Sequence, residues 1–134
     1  MMSVYISTIN TPVKYAQVIF YTNDEEASFL CEIADDDFAR KNGLSGRKNL
    51  SQDQGMLFTY ESSDLRVFHM RDMEFPLDVI FIDTNYMVIN IVEANRSEEN
   101  IKSNGLAKFV VEINKGISQR SGIVQGVMID IKYI

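Results

Sequence analysis

The sequence predicts a mostly β, α+β fold, a compact and strongly curved or barrel-like antiparallel sheet with one short helix and a candidate helical turn. Three observations lead to this prediction. Segments rich in β-branched and aromatic residues recur along the chain, about eight of them, with turn residues between them. Only residues 35–42 carry both the start and the stop signals of a helix. The length of 134 residues, with 46% hydrophobic and 24% charged residues, suits one domain with a core of its own.

The chain is expected to begin with an extended arm and to continue as a single β-rich domain over residues 15–134. Residues 1–14 mix polar residues and Pro12 with short apolar residues, which is typical of an arm or an edge strand. Two β-forming segments follow, at 15–21 and 27–34, on either side of a polar turn. These segments predict a hairpin.

Residues 35–42 are predicted to form a short helix. Asp36 and its two acidic neighbours supply an N-cap and favourable charges for the first turn. Arg40 and Lys41 favour the C-terminal end, and Gly43 is placed to end the helix.

The second half of the chain continues the strand pattern. Further strands are predicted over residues 55–61, 66–71, 78–83, 86–94, 107–113 and 127–134. The polar segment 95–105 is predicted to be a flexible connection, and 114–121 a helical turn that ends at Gly122. In the last strand, apolar residues alternate with polar ones, which indicates that one of its faces is buried.

Charge and composition exclude several classes of function. With 19 acidic and 13 basic residues the formal net charge is −6, so long-range repulsion from phosphate groups makes nucleic acid an unexpected partner. The single cysteine, Cys31, and the single histidine, His69, cannot form a disulfide or a Cys/His zinc site. Cys31 is predicted to be a core residue that shares a face with Phe29 and Ile33. No metal, cofactor or catalytic residue is assigned.

The N-terminus has neither the basic nor the apolar region of a signal peptide, and no apolar run is long enough to span a bilayer. We therefore expect a protein without a membrane partner, located in the cytoplasm or within a viral particle.

Four motifs in order along the chain closely resemble the family known as domain of unknown function 192. They are Ala39 to Arg47, Asp53 to Phe58, Met70 to Asp83, and Val111 to Gly116. The resemblance covers roughly residues 16–134 and implies a compact β-rich domain with little helix. It brings no established activity. Two positions depart from the family's pattern: His69 stands where an aromatic residue is usual, and Asp72-Met73 where Asn-Thr is favoured.

Five residues are candidates for a binding site. Arg47, Asp78 and Glu112 are charged residues at motif positions, and His69 and Asp72 mark the two departures. Arg47 has two interpretations. It bridges a carboxylate or loop carbonyls and holds its loop on the sheet, or it grips an anionic or hydroxyl-rich ligand beside Asp78 and Glu112.

Two classes of function follow from these observations. The first hypothesis is a non-enzymatic interaction or assembly domain that binds a protein partner or forms a homo- or hetero-oligomer. It would use the N-terminal arm or the terminal strand, as in a viral or phage structural accessory protein. The alternative is a domain that binds a small molecule or a carbohydrate in a polar pocket around Arg47, Asp78 and Glu112. A hydrolytic version of that pocket would use Asp78 and Glu112 as an acid and base pair.

Overall fold

The computed structural model describes residues 12–23 and 25–134. Within these residues, seven strands and two short helices follow one another. They are β1 (Tyr15–Tyr21), β2 (Glu26–Ala34), α1 (Asp37–Asn42), β3 (Gln54–Phe68), β4 (Leu77–Ile82), β5 (Val88–Ala94), β6 (Ile101–Asn114), α2 (Ile117–Ser121) and β7 (Met128–Tyr133). The fold is therefore α+β and mostly β, as predicted. Of the predicted arm, residues 1–11 lie outside the described residues.

All seven strands belong to one sheet, in the order β5-β4-β6-β3-β2-β1-β7. Every neighbouring pair is antiparallel except β2 and β3, which are parallel. The predicted antiparallel sheet therefore contains one parallel pair. Parallel neighbours need a crossover of about a dozen residues or more, and the connection from Ala34 to Gln54, which contains α1, provides one.

The sheet is strongly curved, and its edge strands approach each other without closing a barrel. The segments that begin β5 and β7 meet at an isolated antiparallel bridge between Met87 and Met128. Beside it, the Val88 backbone N–H donates to the Val127 carbonyl over 2.9 Å. Two further backbone hydrogen bonds join the same two segments. Within the described residues β5 and β7 form no ladder beyond these contacts, so the sheet stays open.

Local signals predicted the hairpin and both helices. β1 and β2 pair from Tyr21 opposite Glu26 onwards. The Asp36 side chain caps α1 by accepting from the Ala39 N–H over 2.7 Å, and α1 ends at Gly43. The helical turn predicted near the end of the chain is α2, which ends at Gly122. Neither helix is long enough to cross a membrane, in the part of the chain that is described.

Two strand boundaries differ from the prediction. The segments 55–61 and 66–71 are not two strands, because β3 runs unbroken as Gln54–Phe68 and ends before His69. Its pairing with β6 contains two register shifts. The polar residues there form bulges within one strand and not a turn between two strands. β6 begins at Ile101, so the flexible connection predicted over 95–105 is shorter than expected.

The central strands bury both of their faces. One face carries a first core that contains Phe29, Cys31, Leu57, Ile80, Val111 and Ile113. The other face carries a second core that contains Leu44, Phe58, Met73, Val79, Phe81 and Val110. The predicted face of Phe29, Cys31 and Ile33 is thus confirmed. The alternation along β6 places Glu112 on the face of Val110, within the second core.

Candidate functional site

A pocket opens on the second face of the sheet, between α1 and the central strands. Its volume is about 260 Å³. Side chains from α1, from the loop after it, from β3 and from β6 form its walls. They include Arg40, Leu44, Phe58, Tyr60, His69 and Glu112.

Among the described residues Glu112 is the only acid that lines this pocket, and β6 places it there. In the sheet Glu112 lies between Met56 of β3 and Val79 of β4. Only 5% of the residue is exposed. Among the described residues its carboxyl group forms neither a hydrogen bond nor an ion pair. Burial without a compensating charge raises the pKa of Glu112 to about 8, so the carboxyl group is mostly neutral at pH 7.

Tyr60 forms another wall, and two arginines contact its ring. The Arg66 guanidinium lies 3.6 Å from the ring centroid, and the Arg40 guanidinium lies 4.9 Å from it. Arg40 is held by two further contacts, since it donates to the Thr59 carbonyl over 2.8 Å and to Asp37 over 2.9 Å. These contacts fix α1 against β3, and so they fix one wall of the pocket.

His69 borders the mouth of the pocket and is exposed. Its Nδ1 accepts a hydrogen bond from the Arg71 backbone N–H over 3.2 Å. A second pocket beside the mouth, of about 410 Å³, brings His69 together with Asp72. The backbone of Asp72 has a φ of 65°, in the left-handed region that Asp and Asn tolerate better than most other residues.

Arg47 lies outside the Glu112 pocket and forms an ion pair with Glu32. Its two terminal nitrogens donate to the two carboxylate oxygens of Glu32, one of them over 3.0 Å. This hydrogen bonding raises the pKa of the Arg47 guanidinium. The loop after α1 is therefore fastened to β2, as the first interpretation of Arg47 predicted.

Asp78 is fully buried and lies on the opposite face of the sheet from Glu112. It pairs with Ile113, whose side chain belongs to the first core. Its carboxylate accepts hydrogen bonds from the backbone N–H groups of Gly116, at 3.1 Å, and Ser118, at 2.9 Å. Asp78 thus provides a cap for α2, whose own N-cap residue, Gly116, has no side chain.

Of the five candidate residues, the structure places Glu112 and His69 in one pocket and Asp72 beside its mouth. Arg47 and Asp78 do not converge with Glu112, so the predicted three-residue pocket and the Asp78 and Glu112 acid and base pair do not form. The sequence analysis missed Tyr60 as a pocket residue and Glu32 as the partner of Arg47. An acid flanked by Val110, Val111 and Ile113 was the signal in the sequence for a buried carboxyl group.

Cys31 contributes to the first core and not to this pocket. It is fully buried, as predicted, and burial raises the pKa of its thiol to about 12. Its thiol is therefore protonated at neutral pH. Within residues 12–23 and 25–134 no three His, Cys, Asp or Glu side chains cluster as metal ligands would.

Solved structures that share this fold include the following two. A protein of unknown function from Novosphingobium aromaticivorans DSM 12444 is 30% identical, with a TM-score of 0.83 over 87% of this chain and 84% of that one. A protein from Sinorhizobium meliloti 1021, described as "a putative transcription regulator", is 26% identical, with a TM-score of 0.85 over 91% of this chain and 97% of that one.

No curated protein matches the chain. Residues 18–131 match the family DUF192, whose description is "Uncharacterized ACR". This match spans most of the chain and agrees with the motifs identified in the sequence. The chain therefore belongs to the DUF192 family.

Proposed function

We propose that this protein is a small-molecule-binding domain whose ligand occupies the pocket above Glu112. The observation that supports the proposal is the Glu112 carboxyl group, which is buried, borders a cavity and has no partner among the described residues. The carboxyl oxygens face the cavity and are not sealed inside the core. A ligand that fills the cavity would form a hydrogen bond with Glu112 in a mostly apolar surrounding, where such a bond is stronger than in water, and the bond would orient the ligand.

The other walls suit a small organic molecule. Leu44, Phe58 and Phe68 offer apolar and aromatic surface, whereas Glu112 and His69 offer hydrogen-bonding groups. Ligand pockets are commonly of this kind, mostly apolar with a few placed polar groups. The volume of about 260 Å³ is close to the lower end of the usual range, about 300 to 1,000 Å³. A compact ligand therefore suits this pocket.

The relative from Sinorhizobium meliloti is described as "a putative transcription regulator". For this chain the net charge of −6 opposes direct contact with DNA phosphates. We therefore propose ligand binding, and not DNA binding, as the activity of this domain.

A fragment screen by protein-detected NMR tests the proposal. Compounds that bind the pocket should shift the amide signals of Phe58, His69 and Glu112. The variant Val67→Trp places a bulky ring at the mouth, where Val67 is 61% exposed, and should abolish these shifts. Val124→Trp is the matched control, since Val124 is 57% exposed and does not border the pocket. The proposal fails if no fragment shifts these signals, or if Val67→Trp binds the fragments as well as the control does.

A second candidate function is assembly through β7, the terminal strand. β7 is an edge strand of the sheet, and the residues at its end, Tyr133 and Ile134, are 65% and 81% exposed. Edge strands with exposed apolar residues favour pairing with another chain. Sedimentation velocity of the full chain tests this role. Assembly predicts an oligomer that becomes a monomer in the double variant Tyr133→Asp, Ile134→Asp, and a monomeric native chain would exclude self-assembly through this strand.

A further inference from the structure

We propose that the ligand of the Glu112 pocket is a small organic acid, with its anionic group at the mouth and an uncharged hydroxyl or carbonyl group on Glu112. This inference rests on the proposed function, because it names the class of ligand for the same pocket. The supporting observation is that the two ends of the pocket, an exposed mouth and a buried floor, differ in charge and in burial.

The pocket has a polar mouth and a buried floor. Lys41 and His69 are exposed and stand at the mouth. Phe58, Met73 and Glu112 are at most 7% exposed and form the floor. A ligand that fills the pocket therefore meets a hydrated, polar rim at one end and a single polar group in an apolar surrounding at the other.

The lining of the mouth offers one cation that has no ion-pair partner among the described residues. α1 contributes two cations to the lining, Arg40 and Lys41. Arg40 is already bonded to Asp37 and to the Thr59 carbonyl, whereas the Lys41 ammonium forms no ion pair within the described residues. His69 accepts a hydrogen bond at Nδ1, which leaves the proton of the neutral ring on Nε2 as a donor. Positive charge and free donors together favour an anionic group at this end.

The floor favours an uncharged group. The titratable and charged groups around Glu112 are Arg40 and Lys41 from α1, Tyr60 and Arg66 from β3, and His69. None of them forms an ion pair with Glu112, and burial raises its pKa to about 8. As a neutral acid, Glu112 donates one hydrogen bond and accepts another. A hydroxyl or carbonyl group satisfies it without bringing a second charge into the apolar floor.

The lining disfavours a cationic ligand. An ammonium group would meet the like charge of Lys41 on its way to the floor. Aromatic rings bind cations through their faces, but the Tyr60 ring already contacts the guanidinium groups of Arg40 and Arg66. The aromatic wall that is best suited to a cation is therefore occupied.

Three probes with the same ring and the same hydroxyl group, but with different charges, show which charge the pocket prefers in its ligand. They are 4-hydroxybenzoate, which is an anion, 4-hydroxybenzamide, which is neutral, and 4-hydroxybenzylamine, which is a cation at pH 7. The pocket volume of about 260 Å³ is near the lower end of the usual range for ligand pockets, about 300 to 1,000 Å³, so probes with one ring and two small polar groups suit it. In each probe the ring spans the apolar walls, with the hydroxyl group directed to Glu112.

NMR titration of the full chain at pH 7 with each probe tests the inference. We expect the acid to bind on the order of tenfold more tightly than the amine, with the amide between them. Lys41→Ala should weaken the binding of the acid about two- to fivefold and leave the binding of the amide unchanged. Lys48→Ala is the matched control, because it removes the same charge from an exposed lysine that does not line the pocket.

The inference is overturned if the amine binds most tightly, if Lys41→Ala and Lys48→Ala weaken the binding of the acid equally, or if none of the three probes binds. These results do not affect the proposed function if other fragments bind the native protein and Val67→Trp abolishes their binding. If no fragment shows that behaviour, the proposed function itself fails, and the inference fails with it.

Discussion

Glu112 and His69 lie at the two ends of one pocket, the carboxyl group buried at the floor and the imidazole exposed at the mouth. The two residues come from different segments, Glu112 from the interior of β6 and His69 from the position that follows β3. In the register of β3 with β6, Glu112 lies opposite Met56 and the end of β3 lies opposite Ile101, so the pairing alone keeps the two residues apart. The bend of β3 that packs the ring of Phe68 against that of Phe58, with centroids 5.0 Å apart, brings them to one pocket. Glu112 is thus a neutral acid without a partner among the described residues, and a ligand from outside the chain would provide one.

Glu112 should make stability depend on pH. Its pKa is about 8 in the folded protein and 4.5 for an ordinary glutamate, so the folded protein keeps a proton that the unfolded chain releases. Both states are protonated below about pH 4.5, where the effect vanishes, and the free energy of unfolding falls as pH rises until about pH 8. Glu112→Gln should remove this fall, so its stability relative to the native protein should rise by up to about 1.4 kcal/mol per pH unit.

Urea unfolding at a series of pH values measures this difference. Glu74→Gln is the control, because Glu74 is exposed and its substitution should leave the pH dependence unchanged. Parallel stability curves for Glu112→Gln and the native protein would show that the Glu112 carboxyl is ionised in the folded state.

The ion pair of Arg47 with Glu32 should contribute modestly to stability. Their side chains are 39% and 25% exposed, so solvent screens the attraction. A double-mutant cycle with Arg47→Ala and Glu32→Ala should give a coupling of about 1 kcal/mol in urea unfolding, near the upper end for pairs of this exposure. The more exposed pair of Arg71 and Glu99 should give less. Zero coupling between Arg47 and Glu32 would contradict the structural role of this pair.

Asp78 should matter for stability and not for ligand binding. Replacing it with Ala leaves the N–H groups of Gly116 and Ser118 without their acceptor. The loss should be about 2 to 3 kcal/mol in the free energy of unfolding. Asp78→Asn keeps one acceptor oxygen and should lose less. A variant Asp78→Ala of native stability would contradict the assigned capping role.

Gly55 should be required for the approach of β3 to β6. A Cβ atom there would lie 2.5 Å from the Glu112 carbonyl oxygen and 3.0 Å from a side-chain carbon of Ile113. Gly55→Ala should therefore destabilise the protein by about 3 kcal/mol or prevent folding. Gly105→Ala is the control, since its nearest neighbour would be Ile89 at 3.8 Å. Thermal unfolding and the soluble yield of both variants measure the effect, and equal behaviour would contradict the close approach.

Local signals in the sequence were sufficient for part of the fold. The cap residue Asp36 and the terminating Gly43 located α1, and turn residues located the hairpin of β1 and β2. The parallel pairing of β2 with β3 was missed, because it depends on a crossover and not on any local pattern. The bulges that let β3 continue past Thr59 were missed because the polar residues there look like a turn.

The site was predicted in part for the same reason. Alternation along β6 gave the face of Glu112 but not the side chains that cover it. Whether Asp78 joins Glu112 depends on the register between β4 and β6, and that register places the two carboxyl groups on opposite faces. Arg47 could be named as a bridging residue, yet its partner Glu32 follows from the packing of the loop after α1 on β2.

The most direct test of the account is the pKa of Glu112 itself. A titration of the side-chain carboxyl carbon of Glu112 by ¹³C NMR, assigned through the variant Glu112→Gln, measures it. The account predicts a midpoint near pH 8, well separated from the value of 4.5 for an ordinary glutamate. A midpoint near 4.5 would mean that Glu112 is solvated or paired in solution, and the pocket would lose the group that defines it.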